Sequence, residues 1–190
     1  MSGAYLQNTW YQAAWSDEVT MAGPLVRTIL DLPLLIFRTG EGKLAALHDR
    51  CPHRFAPLSA GRIEGDAVTC GYHGLGFNAK GECIRNPHGG ITKAMHVRAF
   101  AVVERHRAIW IWFGDEPARL EEIPNLAFID ETPVKATIVS HMGVAANYRL
   151  LTDNILDLSH ADYLHPSSLG GIMTGAKTTV ATIGEKARVV

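Results

Sequence analysis

Net charge is what this sequence has least of: 18 Lys and Arg against 19 Asp and Glu leave −1 at pH 7 over 190 residues. With basic residues scattered rather than grouped, there is no electrostatic footprint for nucleic acid or an anionic membrane surface. No apolar run approaches the roughly 18 residues that span a bilayer. Residues 1–5 hold no basic region leading into an apolar signal core, so a cytoplasmic protein is expected. Cysteine is scarce too. Three cysteines are too few for a disulfide scaffold, and two of them stand beside histidines, which suggests metal binding in a reducing compartment. Cys83 is left over as a free structural thiol. Internal repeats and low-complexity tracts are also missing, which excludes solenoids and disordered tails. What remains is an ordinary globular composition, 47% hydrophobic and 19% charged, able to bury a core.

From residue 34 to about residue 113 the chain breaks into short runs of β-formers separated by Gly, Pro, Asn and Asp. Strands are predicted at 34–38, 43–48, 67–70, 75–77, 100–104 and 109–113, with Thr39-Gly40-Glu41-Gly42 and Asn78-Ala79-Lys80-Gly81 as hairpin turns. Trp110 and Trp112 alternate on the last of these and should pack the β-domain. Gly114-Asp115-Glu116-Pro117 closes the region. We therefore read a β-domain over 1–115, a linker over 116–133, and a second domain over 134–190 that opens with a strand-like run at Val134. After Tyr148 the pattern turns helical, with Leu151, Ile155 and Leu158 on one stripe and Asn154, Asp157 and His160 on another. His165 precedes Pro166, so the helix should have ended there.

Two constellations carry chemistry. The first is Cys51-Pro-His53, sixteen residues, then Cys70-Gly-Tyr-His73: two thiols and two imidazoles, one of each per loop. A Rieske [2Fe–2S] centre needs that inventory, because two Cys hold one iron and two His the other. A pair of buried Cys with incidental His and a Cys2His2 zinc site are the other readings, but zinc fingers usually pair like with like, whereas here each short pair is mixed. The second constellation lies at 154–165. Asp157 and His160 are three apart and should share a helix face, and His165 can join His160 on one ion only if the chain turns. Two His with one carboxylate is the facial arrangement of mononuclear Fe(II) oxygenases; ordinary surface histidines and a solvated Asp157 are the alternative. His48, His88, His96, His106 and His141 have no partner at metal-binding spacing and read as satisfied surface or interface residues. Arg54 and Arg85 read as solvated charge, with docking of a redox partner as the other possibility.

Cys51-Pro-His53-Arg54 and Cys70-Gly-Tyr-His73-Gly-Leu-Gly-Phe77 resemble the Rieske domains of bacterial non-heme iron oxygenases, and Asn154-x2-Asp157-x2-His160-x4-His165 resembles their metal-site helix. Trp10-Tyr11-Gln-Ala-Ala-Trp15 and Ala108-Ile-Trp-Ile-Trp-Phe-Gly-Asp115 point to the vanillate O-demethylase and dicamba monooxygenase branch. The resemblance implies an α+β fold: an antiparallel β Rieske domain, then the start of a helix-grip catalytic domain. It implies a [2Fe–2S] cluster on Cys51, His53, Cys70 and His73, and a mononuclear Fe(II) on His160 and His165. Asn154 then stands beside that iron, and Asp157 is the acidic bridge that receives an electron from a neighbouring subunit's Rieske histidine. The implied activity is O2-dependent O-demethylation or hydroxylation of an aromatic acid by a homotrimer, with electrons from NADH through a separate reductase or ferredoxin. Ring dihydroxylation is an alternative, and a Rieske electron carrier with a non-catalytic extension is another. Respiratory Rieske proteins add a loop disulfide and Ser and Tyr hydroxyls near the cluster. Leu75 and Phe77 stand in those hydroxyl places, so a potential in the lower Rieske range is expected. The family's third iron ligand is an Asp well beyond Val190, so the chain is expected to be the N-terminal portion of a longer subunit.

Overall fold

The computed structural model describes residues 5–137, 140–167, 180–183 and 186–189. The chain divides into two compact units, Met1–Val139 and Ser140–Val190. The first contains β1 (Thr9–Trp15), β2 (Leu25–Ile29), β3 (Leu32–Arg38), β4 (Leu44–His48), β5 (Arg62–Glu64), β6 (Ala67–Thr69), β7 (Gly76–Asn78), β8 (Cys83–Arg85), β9 (Val102–Arg105) and β10 (Ala108–Phe113), then a short helix α1 (Ala127–Glu131). Pairing is antiparallel throughout, in three sheets ordered β2-β3-β4, β5-β6-β7-β8 and β1-β10-β9.

Two strands organise the unit because both of their faces are buried. Successive strand side chains point to opposite faces, and β3 is apolar on both: Leu35 and Phe37 enter one core, Leu34 and Ile36 another. The first core joins them to Leu47, Val68, Leu75, Phe77 and both cysteines Cys51 and Cys70. The second joins Leu34 and Ile36 to Ile109, Ile111 and Phe113 of β10. The opposite face of β10 supplies Trp110 and Trp112 to a third core with Trp10 and Ile123. Each fully buried side chain of this kind is worth roughly 1.5–3 kcal/mol. The layers therefore run core, sheet, core, sheet, core, and the prospective metal loops hang from the first.

The predicted hairpin turns are present: Gly42 N donates to the Thr39 carbonyl at 2.8 Å and Gly81 N to the Asn78 carbonyl at 2.9 Å. Segment 116–133 lies within the first unit and packs against its strands. Trp10 Nε1 donates to the Arg119 carbonyl at 2.7 Å, Ile123 is buried, and His106 Nδ1 meets Asp130 Oδ2 at 2.6 Å. At Val134 the structure corrects the sequence reading, since Val134–Ala136 is one turn of 3-10 helix and not a strand. Pro133 sets the entry, and the amides of Ala136 and Thr137 bond back to the carbonyls of Pro133 and Val134 at 2.8 and 3.0 Å.

The second unit contains α2 (Tyr148–Leu156), a 3-10 turn at Leu158–His160, α3 (Ala161–Leu164) and a hairpin of β11 (Val180–Ile183) with β12 (Lys186–Val189). Asn147 caps α2 by accepting from Arg149 N at 3.0 Å. The class is α+β. Among the described residues no helix is long and apolar enough to cross a membrane.

Candidate metal centre

The two Cys/His loops are built alike. Loop one leaves β4 and loop two connects β6 to β7. In the first, Cys51 N donates to the Ala56 carbonyl at 2.8 Å and Phe55 N to the Cys51 carbonyl at 2.9 Å. In the second, Cys70 N donates to the Leu75 carbonyl at 2.8 Å and Gly74 N to the Cys70 carbonyl at 3.0 Å. The turn residue is left-handed in each, with φ 58° at Phe55 and 73° at Gly74. Phe55 carries that conformation without being glycine, and the Arg50 guanidinium covers its ring at 4.0 Å. The loops also touch through their backbones. A Cβ on Gly61 would come within 2.0 Å of the Thr69 carbonyl oxygen, so any side chain there would force the loops apart.

This scaffold sorts the four side chains into pairs. Cys51 and Cys70 are buried at 2% exposure each and lie within reach of one another. Burial pushes the Cys51 thiol up, and Cys70 beside it adds to the rise, while backbone amides of His53 and Arg54 oppose it by donating to the sulfur. His53 and His73 lie toward solvent, their ring centroids 4.5 Å apart. Partial burial lowers the His73 pKa, and the neighbouring His53, His88 and Arg54 lower it further, which favours the neutral imidazole that metals bind. Asp49 braces the first loop. Buried at 6% exposure, it accepts from Ser59 N at 2.7 Å and Ser59 Oγ at 2.5 Å.

A third loop, which the sequence did not reveal, closes over the histidine edge. His88 Nε2 lies 2.9 Å from the His73 carbonyl oxygen, and a recess of about 370 Å³ is bounded by His53, His73, Leu75, Asn86, His88 and Met95. His88 has no metal-binding spacing to another residue, so only the folded chain brings it here.

In the second unit, His160 and His165 stand with ring centroids 5.6 Å apart. His160 Nδ1 donates to the Asp157 carbonyl at 2.7 Å. A carbonyl can only accept, so Nδ1 carries a proton, and in the neutral ring Nε2 is the nitrogen that could bind a metal. The expected single helix face is not formed. Helix α2 stops at Leu156, and Asp157 has φ −108° and ψ 94°. Its carboxylate caps the following 3-10 turn, accepting from Ser159 N at 3.0 Å, and those Ser159 contacts hold its pKa below the ordinary carboxylate value. Asn154 lies within α2, one turn before that break. Helix α3 ends at Leu164, as Pro166 requires. Among the described residues no three His, Cys, Asp or Glu side chains converge on one point. The chemistry is arranged in pairs.

Residues 9–100 match the Rieske [2Fe-2S] domain family, and residues 144–190 match the vanillate O-demethylase oxygenase C-terminal domain. The chain belongs to the Rieske oxygenase family. It is 46% identical over 165 residues to the oxygenase component of dicamba O-demethylase from Stenotrophomonas maltophilia, covering 85% of this chain and 48% of that one. Identity is 42% over 168 residues to the oxygenase component of chloroacetanilide N-alkylformylase from Rhizorhabdus wittichii, covering 87% and 48%. The crystal structure of dicamba monooxygenase bound to dicamba superposes with a TM-score of 0.88 at 39% identity, over 98% of this chain and 57% of that chain. This Rieske oxygenase chain thus spans about half the length of the curated relatives it matches.

A [2Fe–2S] cluster suits the donor set of the first site. A single ion would draw three or four donors to one point, whereas these donors separate into a buried thiol pair and a solvent-side imidazole pair.

Proposed function

We propose that this chain belongs to the terminal oxygenase component of a multicomponent Rieske monooxygenase, cytoplasmic and homotrimeric, acting on an aromatic acid by O-demethylation or hydroxylation. The observation that carries the reading is the coexistence, in one chain, of the paired Cys and His loops and the His160–His165 pair, in which His160 Nδ1 is held by the Asp157 carbonyl. Residues 1–115 would form the cluster domain, 116–133 its tether, and 134–190 the opening part of the catalytic domain. Cys51 and Cys70 would hold the inner iron of the cluster, His53 and His73 the outer iron, and His160 and His165 a mononuclear Fe(II). When bound, the cluster supplies one-electron exchange and the mononuclear iron supplies O2 activation.

The residues themselves do three things. The buried thiols and the core around Leu75 and Phe77 keep water from the inner side of the cluster, leaving the His53 and His73 edge as the polar face. Asp157 holds an ionised carboxylate against the Ser159 amide and, through its carbonyl, fixes the His160 ring. Asn154 lies in α2 one turn before Asp157 and would stand beside the mononuclear iron. Electrons would come from NADH through a reductase or ferredoxin, and the acidic bridge between subunits would be Asp157.

The test is reconstitution with iron and sulfide, followed by assay of the complete subunit with a surrogate reductase, NADH, O2 and a panel of aromatic acids. Two acid-labile sulfides per chain with a Rieske EPR signal, and an O-demethylated or hydroxylated product, are expected. Zinc without sulfide would sink the cluster assignment. A full cluster that exchanges electrons but yields no oxygenated product would favour the carrier.

A further inference from the structure

The third loop bears on the second ligand loop through two independent contacts. His88 Nε2 lies 2.9 Å from the His73 carbonyl oxygen, which accepts only, so Nε2 carries the proton and donates. One residue earlier, Pro87 closes on the turn at Gly74, where a Cβ would meet Pro87 Cγ at 3.2 Å. The loop that presents His88 is itself braced. His88 N donates to Asn86 Oδ1 at 3.1 Å, and Asn86 Nδ2 donates to the Gly90 carbonyl at 2.9 Å. Asn86 Nδ2 also lies 3.7 Å from Met95 Sδ, which ties the start of the loop to its end. An exposed histidine with no structural task would not be pre-positioned by three such contacts.

We propose that His88 is a positioning residue for the cluster. Its Nε2–H fixes the main chain at His73 and so the orientation of that ligand ring against His53, 4.5 Å away. The reasoning is that of outer partners in metal sites generally: a donor that locks the ligand's frame sets both retention of the metal and its electronic character. The inference rests on the Rieske reading above.

The test compares the reconstituted full chain with His88→Ala and His88→Gln, the latter restoring an N–H donor at similar reach. Three quantities are read at one pH: the EPR spectrum of the reduced cluster, its midpoint potential, and the rate of iron loss to a chelator. His88→Ala should shift the spectrum and the potential and lose iron faster, on the order of 10- to 100-fold. His88→Gln should return all three toward the parent values. An Ala variant identical to the parent in spectrum and potential overturns the proposal. So does a Gln variant as altered as the Ala variant, including the case in which neither assembles a cluster, because side-chain bulk rather than the hydrogen bond would then be responsible. A parent chain that takes up no sulfide-containing cluster would instead count against the Rieske reading itself.

Discussion

Phe55 and Gly74 occupy the same place in two different loops. Each follows its cysteine by four residues, lies in the left-handed region, and donates its amide to that cysteine's carbonyl. The two positions should nevertheless respond differently to substitution. Gly74→Val places a branched side chain at φ 73° and against Pro87, at a cost of about 1–3 kcal/mol for the backbone conformation alone. Phe55→Gly removes a comparable strain, loses a cation–π contact with Arg50 worth roughly 0.5–1 kcal/mol and adds a glycine entropy cost of about 0.5–1 kcal/mol, so its net effect should be near zero. Urea melts together with sulfide analysis would show it: Gly74→Val destabilised and depleted in cluster, Phe55→Gly close to the parent.

Asp49 and Ser59 should behave as one brace. Replacing Asp49 by Ala strips the Ser59 amide and hydroxyl of their acceptor in a buried setting, a loss of about 1–3 kcal/mol. Ser59→Ala removes only the hydroxyl bond and should cost less. A double-mutant cycle by chemical denaturation checks the pairing, and additive effects would show that the two residues act independently.

His48 should make the protein lose stability toward acid. Burial in the sheet, then the charges of Arg50 and Arg98, hold its pKa below the ordinary value of 6.5. The unfolded chain therefore takes up this proton at higher pH than the folded chain does. The contribution is complete above about pH 6.5 and is lost as pH falls through the folded value. In His48→Gln the Tm between about pH 7 and pH 5 should fall less steeply than in the parent. Parallel curves would exclude the residue as a source of acid sensitivity.

Asp157→Asn should separate cofactor binding from function. The Asp157 carbonyl that accepts from His160 is untouched by the change, so iron and sulfide content should stay at parental levels. Removing the carboxylate charge should slow turnover of the assembled oxygenase on the order of 10- to 100-fold. The carboxyl is held low by Ser159, so in the parent its charge persists through the ordinary carboxylate range and is lost only at more acid pH. Loss of the Rieske absorption in this variant would contradict a bridging role.

Much of the molecule could be read from residue types alone. The six predicted strands reappear within about two residues because each is a dense run of β-formers, and side-chain chemistry singled out Cys51, His53, Cys70 and His73, which the fold brings together in pairs. Four strands of the first unit escaped, as did β11 and β12 of the second. β1 carries a bulge between Gln12 and Ala14, β2 is an edge strand only half buried, and β5 and β8 are three residues each. Periodicity also misplaced Asp157 on a continuous helix, because spacing cannot register that its carboxylate competes for the next amide and breaks the helix. His88 was passed over for a plainer reason: its partner is a main-chain carbonyl fifteen residues away, and a backbone acceptor leaves no mark in composition.

The double burial of β3 has a consequence for how the first unit comes apart. Leu35 and Phe37 cannot leave the core that holds the cysteines unless Leu34 and Ile36 also leave the core shared with β10. A party wall cannot be removed from one house only. Hydrogen exchange at the amides of Leu34, Leu35, Ile36 and Phe37 should thus be the slowest in the chain and governed by global opening. The loops that carry Cys51 and Cys70 are anchored in that same slow-exchanging ribbon's core.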